Sequence, residues 1–191
     1  MNRAVDVVLA GTSLALTGPL LGLAALAIKL EDGGPVFYRQ SRVGHRGEDF
    51  ELLKLRTMVV GAEKLGKGFA VDEGDPRITR LGRLLRRTSI DELPQLWNVL
   101  RGDMSVVGPR PTLRYQVEQY DEHQRKRLEV KPGLTGWAQV HGRAALPWPE
   151  RIELDVWYVE HRSPFLDLRI LLRTPVALFR GTYRGATGGW R

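Results

Sequence analysis

The 191-residue chain contains no cysteine. That absence excludes disulfide staples, thiolate zinc sites and a cysteine nucleophile. Histidine is scarce too, and His45, His123, His141 and His161 lack the spacing of a two-histidine metal motif. Any metal is therefore expected to be a hard cation held by oxygen. Acidic charge is in the minority: 29 Lys and Arg against 22 Asp and Glu leave a formal charge of +7. An excess of this sign favours phospholipid, nucleotide phosphate or nucleic acid as partner, and charge alone does not choose among them. Zinc-finger, helix-turn-helix and RNA-binding patterns are missing, so nucleic acid is not expected. No internal repeat or linker divides the chain, whose length suits one domain.

Residues 7–28 form a run without a single charge, bounded by Arg3 and Asp6 before and Lys29 after. Twenty-two apolar positions are long enough to cross a bilayer. Three readings stand open: a signal peptide with an unusually long apolar region, a spanning helix, and a helix broken at Gly18-Pro19 that enters and leaves by one face. Proline removes a backbone donor and clashes with the preceding turn, so a bend is expected at mid-segment. Basic residues flank both ends and give no orientation.

Beyond Glu31-Asp32-Gly33-Gly34-Pro35 the chain turns polar. Extended runs at 36–40 and 50–55 flank Gly44-His45-Arg46-Gly47 and predict a β-hairpin. Glycine and charge dominate 60–76, the composition of a loop that serves either as a lid or as idle surface. Ile78, Leu81 and Leu85 recur at helical spacing, with Arg77, Arg80, Arg83 and Arg87 on the other faces, predicting a basic amphipathic helix. Residues 113–130 read as one polar, water-facing helix. The apolar stretch 165–179, interrupted by Pro175 and carrying Arg169 and Arg173, suits helices lying at a bilayer boundary or packed in the core. The glycine-rich end, 181–191, reads as a disordered tail.

The chemically informative stretch is Thr88-Ser89-Ile90-Asp91-Glu92-Leu93-Pro94-Gln95-Leu96. Ser89 and Glu92 have capping-box spacing, which by itself would explain the glutamate. Pro94 argues for a helix starting there, with both carboxylates just ahead of it. A helix N-terminus favours an ionised carboxylate and an incoming phosphate alike, so capping and catalysis both remain open. Downstream, Arg110 lies between two prolines in Val107-Gly108-Pro109-Arg110-Pro111, which restricts its backbone and preorganises the guanidinium.

Taken together, the chain resembles the bacterial sugar transferase family, the monotopic polyprenol-phosphate phosphoglycosyl transferases. The resemblance runs from about Arg3 to Thr174. It is carried by the proline-containing apolar segment, Pro35-Val36-Phe37 with Gln40-Ser41-Arg42-Val43-Gly44, Lys54-Leu55-Arg56-Thr57-Met58 and Asp75-Pro76-Arg77-Ile78-Thr79-Arg80. Further on come Asp91-Glu92-Leu93-Pro94-Gln95-Leu96, the Arg110 motif, Pro132-Gly133-Leu134-Thr135-Gly136-Trp137-Ala138-Gln139-Val140 and Asp155-Val156-Trp157-Tyr158. Two positions depart from the family pattern: Gly18 stands where many members have serine, and His141 where asparagine is usual.

The resemblance implies a helix-rich α/β single domain with a short β-hairpin, an N-terminal re-entrant membrane helix and interfacial amphipathic helices. It divides the chain into a membrane helix (1–30), a cytosolic transferase domain (31–180) and a tail (181–191), in the small form that lacks the extra membrane region of larger relatives. The implied reaction moves a sugar 1-phosphate from a UDP-sugar to undecaprenyl phosphate, at the cytoplasmic face of the bacterial inner membrane. Asp91 is the implied nucleophile and Glu92 the ligand of Mg²⁺. Lys54, Arg86, Arg110 and Arg143 are the expected phosphate and nucleotide contacts, with Asp155 and Asp167 orienting them. Trp148, Trp157 and Tyr158 are expected at headgroup depth, and membrane lipids as partners. The competing reading is a basic, membrane-anchored adaptor in which Asp91 and Glu92 only cap a helix.

Overall fold

A computed structural model describes residues 1–65, 68, 71, 74–142 and 146–179. Most of the glycine-rich segment after Leu65, Arg143 and the tail 181–191 lie outside the described residues. The chain begins with α1 (Arg3–Asp32), whose helical pattern runs unbroken through Gly18-Pro19. The helix therefore does not end at the proline, and Pro19 leaves the Ala15 carbonyl without its helical donor, the local condition for a bend. At about 1.5 Å per residue the helix is about 45 Å long, and it is long and apolar enough to cross a membrane.

Both ends of α1 are tied to the same folded body. Near its start, Arg3 donates to the Val99 and Leu100 carbonyls at the C-terminal end of α3 (Gln95–Arg101). The buried Asp6 accepts from Ser105 Oγ at 2.9 Å and from the Val106 amide at 2.8 Å. Near its end, Ala24 and Ile28 pack with Leu55 and Leu85, and Asp32 pairs with Arg56. Between them Leu16, Leu20 and Leu23 are exposed, and nothing approaches Gly18 or Gly22 within 4 Å of where a Cβ would stand.

The hairpin forms as expected. Strands β1 (Phe37–Val43) and β2 (Asp49–Leu55) pair antiparallel from Phe37↔Leu55 to Val43↔Asp49. The connection takes positive φ at Arg46 (57°) and Gly47 (83°), the latter an unstrained choice for glycine. The basic helix is α2 (Arg80–Thr88), capped by Thr79 Oγ1 on the Gly82 amide at 2.9 Å, with Leu85 buried and Leu81 packed beside it. A second, parallel pairing joins β3 (Ser105–Val107) to β4 (Gly133–Thr135).

Two expectations about helices fail. Residues 113–130 are not one helix but α4 (Arg114–Val117), α5 (Glu122–Arg125) and a 3-10 turn at Lys126–Glu129. Asp121 starts a new helix by accepting from the Gln124 amide at 2.8 Å, and the turns let Val117, Tyr120 and Arg127 reach the interior. Pro175 does not interrupt α8 (Pro164–Phe179) either. Its ring lies on the exposed side, opposite the buried Leu166 and Ile170. The main core gathers Ala10 of α1, Leu96 and Val99 of α3, Met104, Val107 of β3, Ile170 of α8 and Tyr158 of α7 (Trp148–His161). α6 (Trp137–Val140) packs between α7 and α8.

Candidate active site

The segment bearing the adjacent carboxylates is shaped by its flanks. Ser89 ends α2 in the left-handed region (φ 57°), unusual for a residue other than glycine. A 3-10 turn, Ile90–Glu92, follows, and Pro94 stands as the N-cap of α3. The capping box is not formed: Ser89 makes no side-chain cap, and the Glu92 side chain turns elsewhere. Asn98 of α3 fixes this segment to the hairpin. Its Oδ1 accepts from the Leu53 amide at 3.0 Å and its Nδ2 donates to the Glu51 carbonyl at 2.7 Å. Lys54 on β2 is thereby brought to Glu92, with Nζ 3.0 Å from Oε1.

Arg110 arrives from the opposite side. Gly108 packs so closely against the 131–133 backbone that a Cβ there would lie 2.4 Å from the Lys131 carbonyl oxygen, and this contact holds the Pro109-Arg110-Pro111 loop in place. The Arg110 guanidinium grips Glu92, one nitrogen on Oε1 and Nη1 3.3 Å from Oε2. Behind it, Arg127 donates to the Arg110 carbonyl at 2.9 Å, while its buried guanidinium also meets Asp155 and Tyr120.

Electrostatics separates the two neighbours. Burial and the adjacent Glu92 charge raise the Asp91 carboxyl to about 6. Burial pushes Glu92 the same way, but Arg110 and Lys54 outweigh it and hold that carboxyl well below the ordinary value. Glu92 is thus the fixed anion of an ion-paired triad. Among the described residues no hydrogen bond reaches the Asp91 carboxyl, which lies on the wall of a cavity of about 580 Å³.

Among the described residues, that cavity is lined by seven cationic side chains and four carboxylates. Lys54, Arg86, Asp91, Glu92, Arg110 and Asp155 all lie on its wall. Arg86 is steadied by Nε donating to Thr57 Oγ1 at 2.7 Å. Asp167 lies elsewhere, accepting from the Tyr158 hydroxyl at 2.7 Å and pairing with the Met1 ammonium at 3.3 Å. Tyr158 is itself buried in the protein, and Trp148 lines the cavity. Trp157 is partly exposed and stacks on Trp137 at 5.0 Å.

The sequence profile of the bacterial sugar transferase family matches residues 1–181. The chain belongs to that family. The uncharacterized sugar transferase EpsL of Bacillus subtilis is 47% identical over 174 residues, covering 91% of this chain and 85% of its own. The exopolysaccharide production protein ExoY of Rhizobium meliloti is 42% identical over 198 residues, covering 95% and 88% respectively. A UDP-glucose:undecaprenyl-phosphate glucose-1-phosphate transferase of Caulobacter vibrioides is 49% identical over 186 residues, covering 93% and 69%.

In this bacterial sugar transferase several cavity residues escape sequence reasoning. Arg127 falls within the stretch that reads as a water-facing helix, yet it is buried against Asp155. Arg42 and Gln40 are visible only as part of a motif, and Arg151 only as one charge on α7. The one signal that could have found Arg127 is the Asp121-x-x-Gln124 capping box, which breaks the helix ahead of it.

Proposed function

We propose that the chain transfers a sugar 1-phosphate from a UDP-sugar to undecaprenyl phosphate through a covalent aspartyl intermediate. The observation that carries this reading is the separation of the two buried carboxylates in a cation-rich cavity: Glu92 is neutralised by Lys54 and Arg110, while Asp91 has no hydrogen-bond partner among the described residues and lies on the cavity wall. Such a cavity suits a pyrophosphate, whose reaction demands that charge be neutralised around phosphorus.

In the first step an Asp91 carboxylate oxygen attacks the β-phosphorus of the UDP-sugar. A new P–O bond forms, the bridging P–O bond breaks, and UMP leaves with the electron pair. In the second step a phosphate oxygen of undecaprenyl phosphate attacks the same phosphorus. The diphosphate-linked sugar is released and the Asp91 carboxylate returns. Cations of the cavity wall neutralise the nonbridging oxygens in both steps.

The donor set also fits Mg²⁺. Among the described residues no three metal-ligating side chains converge, but Mg²⁺ is held by one or two carboxylates with water and substrate phosphate completing its shell. Glu92 would hold it through Oε2, whose protein contact is the longer one at 3.3 Å. When bound, the ion would neutralise charge on the pyrophosphate.

The attachment of both ends of α1 to one body supports a re-entrant membrane helix, with the exposed leucines of its middle in the bilayer. The basic α2, and α8 with Phe165, Leu168 and Leu172 exposed, are then interfacial helices. In this reading the cavity lies at the cytoplasmic face of the inner membrane, where a polyprenyl phosphate presents its charge.

The test is UMP release from a panel of UDP-sugars by purified protein with undecaprenyl phosphate. The Asp91→Asn variant is expected to lose covalent labelling by a radiolabelled UDP-sugar and all transfer. Undiminished transfer by that variant would overturn the nucleophile assignment. No UMP release from any sugar would overturn the reaction itself.

A further inference from the structure

We infer that Arg42 is a ligand for substrate phosphate: its guanidinium, held by Gln40 in the cavity wall, takes a phosphate oxygen of the nucleotide donor or of the polyprenyl phosphate acceptor. The assignment rests on the transferase reading above and adds a residue to it.

Gln40 and Arg42 stand two apart on β1 and so share a strand face. Gln40 Oε1 accepts from Arg42 Nε at 3.0 Å and from Nη2 at 2.6 Å. The Pro111 carbonyl lies 3.4 Å from Nη1. All of these acceptors are neutral. Elsewhere on the wall Lys54 and Arg110 face Glu92, and Arg127 faces Asp155. Arg42 thus keeps its charge uncompensated by any carboxylate within ion-pair distance among the described residues, and it stands beside a second cation. Burial and the nearby Arg110 depress its pKa to about 10, outweighing the opposite pull of Tyr38, Tyr115 and the more distant Glu92.

A guanidinium has five N–H donors. Gln40 takes two and the Pro111 carbonyl at most one, so two remain for a ligand. A phosphate matches that fork, and a neutral partner fixes the rotamer without cancelling the charge. Burying a cation without its anion destabilises the empty protein, so the arrangement becomes favourable when an anion arrives. A merely structural arginine would have the opposite signature on removal.

The full-length protein in detergent, with Arg42→Met and Arg42→Lys, provides the test. Melting temperatures are measured without ligand, with UMP, and with a short-chain polyprenyl phosphate, alongside KM for donor and acceptor. Arg42→Met is expected to melt higher than wild type when empty. It is also expected to lose most of the melting shift given by one or both phosphates, with KM for the affected substrate rising about tenfold, as for loss of a charge-assisted contact. Arg42→Lys, keeping the charge without the fork, falls between. A loss confined to UMP assigns Arg42 to the nucleotide phosphate; a loss confined to the polyprenyl phosphate assigns it to the acceptor, and either result supports the inference. Ligand shifts and KM values within twofold of wild type overturn it. A lower melting temperature when empty, with proportionate loss of both responses, marks a structural role and also overturns it. If the wild type releases UMP normally, these failures concern Arg42 alone. If it releases none, the transferase reading falls first.

Discussion

Asp91 and Glu92 are chemically near-identical neighbours, and their surroundings give them opposite tendencies. Asp91, raised to about 6, binds its proton more tightly folded than unfolded, so its ionisation costs the folded state stability as pH rises from about 4 through 6. Glu92, lowered, contributes stability above its ordinary value that is lost as pH falls. Asp91→Asn is therefore expected to be more stable than wild type at pH 8, by on the order of 2–3 kcal/mol. That advantage is expected to vanish near pH 4, which thermal melting at the two pH values checks. With Asp91 as the proposed nucleophile, formation of the covalent intermediate should rise with pH around a midpoint near 6, because only a carboxylate would attack. Glu92→Gln removes the neighbouring charge that helps raise Asp91, so a rapid-quench pH profile of that variant should show the midpoint moved down, with a lower plateau.

The pair Arg127–Asp155 is a different kind of charge, with both side chains almost wholly buried at the cavity wall. Removing one member leaves the other buried and unpaired. Arg127→Met is expected to cost about 3–5 kcal/mol. Arg127→Met combined with Asp155→Leu should cost less than either alone, and a double-mutant cycle read by melting temperature tests this. The same arginine supports the Arg110 carbonyl, so the surviving fraction of Arg127→Met should show a raised KM for the donor.

Elements differed in how far their local pattern revealed them. The hairpin was legible because alternating strands around a glycine-rich turn need only neighbours. The basic helix was legible through its leucine spacing, and its place in the fold depends on Gly82. A Cβ at that position would lie 2.0 Å from the Thr57 carbonyl oxygen. Gly82→Ala should therefore push α2 away from the strand end, break the Arg86–Thr57 bond, and lower stability by about 1–3 kcal/mol, as overpacking does. Loss of the melting transition's amplitude or position relative to wild type measures it. Residues 113–130 misled because their charges resemble a solvated helix, whereas Val117, Tyr120 and Arg127 are drawn inward by partners on α7 and the Arg110 loop. Pro175 misled for the opposite reason: a proline removes one hydrogen bond, and the surrounding turns continued the helix across it.

For the molecule as a whole, the proposed seat of the chemistry at a membrane rests on α1. Its two ends hold one body, and its middle exposes leucines. The chain has no native cysteine, so Asn2→Cys and Phe37→Cys, both at exposed positions, provide single labels before and after the helix. Both are expected to react with an impermeant thiol reagent only from the cytoplasmic side of inverted and right-side-out vesicles. Labelling from opposite sides would make α1 a spanning helix. Retention in the membrane after a high-salt wash is expected as well, since burial of leucines is not screened as surface charge is.

The amino-acid sequence by itself determined the locally encoded features: the uncharged N-terminal run, the hairpin, the basic helix, the adjacent carboxylates, and the exclusion of thiol chemistry. Each depends on residues within a turn or two of one another. The tertiary structure alone decided which charges meet. Lys54 and Arg110 converge on Glu92, Arg127 on Asp155, and Arg42 stands among them with only neutral hydrogen-bond acceptors among the described residues. These encounters join residues far apart in the chain and leave no periodicity to read. The separation of Asp91 from Glu92 has the same origin, because burial and distant cations, not the identity of a carboxylate, set its affinity for a proton.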